Sequence, residues 1–172
     1  AKKNKYKKIL ICDDDIFWHS QALKKIEDIS KVLKQEFKIL LLGSSEYSDR
    51  SNPEFIKSFV KDSEMLYHPI PGKTCGSFAV VYDISVYGEI LKAIEEADGP
   101  FDNVALGSIY EKYGNECFSV TPAICIPNVD DSDIRNSERT QISHSERMNW
   151  ETLRFREFKR DFNVGIIATS FT

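Results

Sequence analysis

The 172-residue chain is 41% hydrophobic and 12% aromatic, enough to fill one well-packed domain but too short for a large second one. Its 23 basic and 27 acidic residues are mixed along the chain to a net charge of -4, which argues against an extended nucleic-acid surface. No apolar run approaches the roughly 20 residues a membrane span needs, and the basic N-terminus lacks an apolar signal core, so the sequence reads as a soluble, cytoplasmic protein with no transmembrane segment.

Lys2, Lys3, Lys5, Lys7 and Lys8 form a solvated lead-in to Ile9-Leu10-Ile11-Cys12, a short apolar strand that runs directly into Asp13-Asp14-Asp15. Three adjacent carboxylates repel one another, and a divalent cation is the economical compensation. Strand alternation sends Asp13 and Asp15 to one side with Asp14 opposed, a two-oxygen clamp for Mn²⁺ or Mg²⁺ and a diphosphate. The plainer alternative is a solvated acidic turn.

Leu23, Ile26, Ile29 and Leu33 recur at helical spacing and predict an amphipathic helix over 18–36, with His19 on its first turn, close enough to the acids to meet a phosphate. Residues 37–42 then read as a buried strand. Strand, helix and strand make a β-α-β unit and point to parallel pairing in an α/β class. Residues 43–49 form a polar loop at the end of that strand, where α/β folds place their sites.

Beyond an irregular stretch punctuated by Pro53, Pro69, Pro71 and Gly72, the alternation over 77–82 predicts a strand. A helix through Ile84, Ile90, Leu91 and Ile94 stops at Asp98-Gly99-Pro100, and a short helix follows over 101–113. Residues 117–126 read as two short strands broken at Pro122, 127–145 as a polar loop, 146–161 as a last helix and 164–168 as a last strand. Cys12, Cys75, Cys117 and Cys125 lack C-x-x-C spacing and read as reduced thiols, with one disulfide pair as the alternative. His68 has no evident partner in the sequence.

Four stretches, taken in order, resemble glycosyltransferase family 25, the lipooligosaccharide and collagen-type sugar transferases. Residues 9–17 look like that family's strand plus Glu-Asp-Asp metal motif, with Asp13 in place of the preferred Glu, and 37–43 like the strand that follows. Thr74-Cys75-Gly76-Ser77-Phe78-Ala79 resembles its Gly-x-x-Ala/Tyr strand. Pro100-Phe101-Asp102, with 127–134 ending Asp131-Ser132-Asp133-Ile134, is similar to its Pro-x-Asp segment and late Ser-Asp-Ile signature.

The resemblance implies a GT-A-type, Rossmann-like, mostly parallel sheet flanked by helices. It also implies a metal-dependent transfer of sugar from a nucleotide-diphosphate sugar, a UDP-sugar first among them, to a hydroxyl of a glycan, lipooligosaccharide or glycoprotein acceptor. Asp15 would hold the metal and Asp13 the metal or the ribose, so that the cation neutralises charge on the departing diphosphate. Asp102 would be the general base, its alternative being a helix N-cap. Gly76 would admit a close approach of substrate to backbone. His144 would be a late metal ligand or else a surface histidine, and Arg135 and Arg139 would pair with phosphates or else be solvated. Family members carry a further N-terminal segment with the first strands and the nucleotide base pocket, which would come from a longer chain or a partner, the chain otherwise being a degenerate short homologue.

Three other readings compete. A signalling receiver domain shares the first strand and acidic pair, but residues 40–44 offer no phospho-accepting Asp. A haloacid-dehalogenase-type phosphatase would use Asp13, Asp15 and Ser44, but the later Asp130-Asp131 follows no apolar strand. A non-catalytic carbohydrate-binding relic is the third.

Overall fold

The computed structural model describes residues 2–33, 36–49, 51–128, 141–150 and 154–157. In chain order the elements are β1 (Lys8–Cys12), β2 (Ile16–His19), α1 (Ala22–Val32), β3 (Ile39–Leu41), β4 (Ser45–Glu46), α2 (Pro53–Ser58), β5 (Leu66–Tyr67), β6 (Thr74–Cys75), β7 (Ala79–Asp83), α3 (Tyr87–Glu96), α4 (Leu106–Tyr113), β8 (Cys117–Val120), β9 (Cys125–Pro127), α5 (Gln141–Met148) and β10 (Phe155–Glu157).

Five strands form the main sheet in the order β1-β7-β3-β8-β5; β10-β2-β9 make a second sheet and β4-β6 a two-stranded ribbon. The architecture is mixed α/β, with a mixed sheet flanked by helices. The expected mostly parallel sheet is not what forms: β3–β8 is parallel, whereas β1–β7, β7–β3 and β8–β5 are antiparallel. The β-α-β reading departs from the structure in two respects, the first being that β2, a strand of the second sheet, intervenes between β1 and α1. β1 and β3 do run in the same direction, but β7 inserts antiparallel between them. The ends of β1, β3 and β8 and the start of β7 therefore share one edge of the sheet.

Period-two alternation on β7 and β3 feeds two apolar layers. Leu40, Val81 and Ala79 face Ile29, Phe37, Phe78 and Phe118, with Ile26 and Leu33 packed alongside. Ile39, Leu41, Val80 and Tyr82 face Val86 and Tyr87 and, from α4, Leu106, Ile109 and Tyr110. Each such side chain, once fully buried, contributes about 1.5–3 kcal/mol of transfer free energy, so the sheet is held from both sides and its three central strands form the most strongly stabilised part.

Other boundaries also shift. Residues 18 and 19, expected in a helix, belong to β2, because Ile16-Phe17-Trp18-His19 is a branched and aromatic run that pairs with both β9 and β10. α1 starts only at Ala22. The expected polar loop over 127–145 runs into α5, which starts at Gln141, and the helix expected over 146–161 gives way to β10. The break at Pro122 is a cis Thr121–Pro122 peptide. Arg135, Arg139, Asp131, Asp133 and the expected strand over 164–168 lie outside the described residues. The four cysteines are free thiols. No helix among the described residues is long and apolar enough to cross a membrane.

Candidate functional site

At the shared sheet edge, β1 ends and the chain turns. The Asp13 N–H donates to the Phe78 carbonyl at 3.0 Å, which continues the β1–β7 ladder by one residue, and the Asp15 carbonyl accepts from Asn128 N–H at 2.8 Å. These two bonds fix the acidic run against β7 on one side and the end of β9 on the other. All three aspartates are solvent-exposed.

Asp102, eighty-nine positions along the chain from Asp13, arrives at the same place. It lies in the first turn of the helical segment Phe101–Ala105, whose N-terminus has no side-chain cap, so the cap reading of Asp102 does not hold. Its Oδ2 instead accepts the N–H of Gly76 at 2.8 Å. Gly76 adopts φ +91, a left-handed conformation open to glycine, and a Cβ there would stand 2.4 Å from the Phe78 ring. Glycine is thus required for the turn that aims this N–H at the carboxylate.

The acids act on one another. Asp13 is held above the ordinary carboxylate range, first by partial desolvation, then by the charges of Asp15, Asp14 and Asp102. Asp15 acts on Asp13 more strongly than the adjacent Asp14 does; β1 ends at Cys12 and residues 14 and 15 lie in a turn, so the strand alternation expected to set Asp13 and Asp15 on one side does not extend through them. Among the described residues no lysine or arginine forms an ion pair with any of these four carboxylates.

Two further acid-facing groups have no sequence signal. Cys75 is pushed up to about 11 by burial and by the charges of Asp102 and Glu46, so it is a thiol rather than a thiolate nucleophile at neutral pH. Glu46 is buried, with Oε2 accepting from the Thr74 hydroxyl at 2.6 Å and Oε1 from Ser48 N–H at 2.8 Å. Beside it, the Tyr67 hydroxyl lies 2.7 Å from the Ser44 hydroxyl, itself 2.9 Å from that of Ser119. Burial and the neighbouring Glu46 push the Tyr67 phenol up to about 12. Ser44 is therefore engaged in a buried hydroxyl network, not presented to the acidic run as a phosphatase would need.

The three histidines make contacts elsewhere in the fold. His19 is buried in β2, where Nδ1 accepts from Gln21 N–H at 3.0 Å and the ring meets Phe155 edge-on. The Nδ1 of His68 bonds the Cys117 carbonyl at 3.0 Å. His144 is not a surface residue: it is buried in α5 with its ring 5.2 Å from Trp150, which in turn packs on Phe78. Among the described residues no three His, Cys, Asp or Glu side chains converge as metal ligands.

Phe78 connects these parts. Its carbonyl holds Asp13, its ring covers Gly43 and Gly76, and its edge meets Trp150. Comparisons of the chain with protein-family models, with curated proteins and with solved structures each return no match.

Proposed function

We propose that the chain is the metal-motif and acceptor half of a GT-A-type glycosyltransferase that takes a nucleotide-diphosphate sugar as donor and a glycan hydroxyl as acceptor. The observation that carries this reading is the meeting of Asp13 and Asp102, from distant parts of the sequence, around Gly76 at one edge of the sheet.

The residues present fit a divalent cation. Asp13 and Asp15 place mutually repelling carboxylates at a solvent-open strand end, with no cationic side chain among the described residues to offset them. Mg²⁺ and Mn²⁺ sites of this kind use one or two carboxylates and complete their shell with substrate phosphate oxygens and water, so a third protein ligand is not required. When bound, the metal would neutralise charge on the diphosphate leaving group. Asp13 and Asp15 would hold it, and Asp102 would accept the proton of the acceptor hydroxyl while its second oxygen stays anchored on Gly76 N–H.

Thermal unfolding with and without Mn²⁺ plus UDP tests the assignment. A ligand at about 100 times its dissociation constant stabilises by about 2.7 kcal/mol, which for a chain of this size raises Tm by roughly 5–11 °C. Asp15→Asn is expected to abolish the shift. A wild-type Tm insensitive to Mn²⁺ and UDP, or a shift that survives Asp15→Asn, overturns the metal assignment.

A further inference from the structure

The edges of the main sheet are unlike. β5 is a two-residue strand, buried and bridged on its outer side through Phe59↔Tyr67. β1 is longer, and among the described residues no strand pairs with its outer side. Ile84 N–H donates to the Lys7 carbonyl and Asp13 N–H to the Phe78 carbonyl. In an antiparallel ladder of this register the odd residues 7, 9, 11 and 13 therefore turn their backbone groups toward β7. Lys8, Leu10 and Cys12 turn theirs outward, and no backbone bond among the described residues uses them. Around this row Tyr6, Leu10, Ile11 and Ile84 are 39–50% exposed. An open strand edge with apolar side chains on both faces is a template for another strand, and the single basic side chain within β1, Lys8, is folded back over Phe37 and onto Glu36 and Asp83.

The sequence of the edge specifies its partner. Lysines precede the apolar core and aspartates follow it, so the segment is complementary in charge to itself when antiparallel and repulsive when parallel. Two-fold symmetry with the even residues directed outward sets even residues opposite even and odd opposite odd, and an axis at residue 10 is the one that sets Lys7 opposite Asp13. Leu10 is the centre of β1. We infer that two copies of this chain pair edge to edge through β1 about a two-fold axis at Leu10, joining the two main sheets into one. In this register Lys8 faces Cys12 of the second copy, Ile9 faces Ile11, and Lys7 faces Asp13. Lys7 is exposed and forms no ion pair among the described residues. The pairing thus brings a cation from one copy to the acidic run of the other.

A single strand pair is a small interface, so the association belongs to the weak class. Sedimentation equilibrium of the whole chain is expected to show mass rising with concentration from 19.7 kDa toward twice that value, and falling back at high salt. Leu10→Lys puts two ammonium groups opposite each other on the axis. It is expected to raise the dissociation constant roughly tenfold or more with the far-UV spectrum and Tm unchanged, since Leu10 is already 46% exposed. Lys7→Glu and Asp13→Lys chains are each expected to stay monomeric, and an equimolar mixture of the two to recover the dimer, because both cross-pairs become attractive again. Wild-type chain that remains monomeric up to about 1 mM, where association weaker than about -4 kcal/mol is invisible, overturns the inference. So does a Leu10→Lys dimer of wild-type affinity, or a mixture that fails to associate.

Discussion

Replacing Asp102 separates its two assigned tasks, because its carboxylate both accepts a hydrogen bond and serves as the proposed base. The bond from Gly76 N–H at 2.8 Å goes to a carboxyl oxygen, and bonds to charged groups are worth about 1.5–3 kcal/mol. Asp102→Asn keeps a carbonyl acceptor at the same reach but makes the bond neutral, worth about 0.5–1.5 kcal/mol. The loss is about 1 kcal/mol, partly offset by removing a charge that acts on Asp13, so Tm is expected to fall by no more than about 4 °C. Asp102→Ala deletes the acceptor and is expected to lower Tm by about 3–12 °C. Turnover divides differently. In a transfer assay that supports wild-type activity, Asn is expected to lower kcat by about 10²- to 10⁴-fold with donor affinity nearly unchanged, since Asn cannot take up the proton. Near-normal turnover in Asp102→Asn would refute the base assignment, and an Ala variant melting with wild type would refute the role in holding Gly76.

The other expectations concern Asp13 and Gly43. A carboxyl raised above its ordinary value of 3.8 is disfavoured as an anion in the fold, so its penalty is absent while it is protonated and grows as pH rises through that value. Metal-free Asp13→Asn is therefore expected to unfold at higher urea than wild type at neutral pH, with the difference vanishing below pH 3.8; a neutral-pH variant less stable than wild type contradicts this. A Cβ at Gly43 would lie 2.1 Å from the Cys125 carbonyl oxygen and 2.9 Å from the Phe78 ring. Gly43→Ala must push the second sheet away from the first, at a cost of about 3 kcal/mol. Its Tm is expected to drop by about 6–12 °C, and a drop within about 2 °C would show that the contact is easily relieved.

Much of the architecture was legible where local pattern and tertiary role agree. The stop at Asp98-Gly99-Pro100 and the break at Pro122 correspond to observed boundaries, and Ile26, Ile29 and Leu33 of the helical repeat pack on the core, although the helix is shorter than 18–36 and Leu23 of that repeat is exposed. Sheet order was not legible, because the alternation within Ala79–Asp83 is the same whichever strands lie beside it. β2 was lost to the helix because Trp18 and His19 fit both periods, and only pairing with β9 and β10 decides. Asp13, Asp15, Asp102 and Gly76 stood out by residue type and order. The bond between the last two did not, since it depends on a positive φ and a contact between distant segments. Glu46 and Cys75 lacked any local signal, and the burial of His144, against the surface reading, depends on Trp150, just beyond α5, packing on Phe78.

The insertion of β7 between β1 and β3 also governs how the acidic run is assembled in time. Ile11 pairs with Val80 and has no place in the sheet until that distant strand has docked. Most of the closure entropy of that long loop is already met by forming β7–β3, and β1 adds to a core that is complete without it. Of its residues, Ile9 packs on the buried clusters while Leu10 and Ile11 stay half exposed, so β1 is free to detach in a local opening far cheaper than global unfolding. The geometry of Asp13 thus rests on an edge strand of the sheet. Whatever binds at that strand end acts first as a latch, slowing amide exchange at Ile9 and Ile11, whose N–H groups face β7, before the core is affected at all.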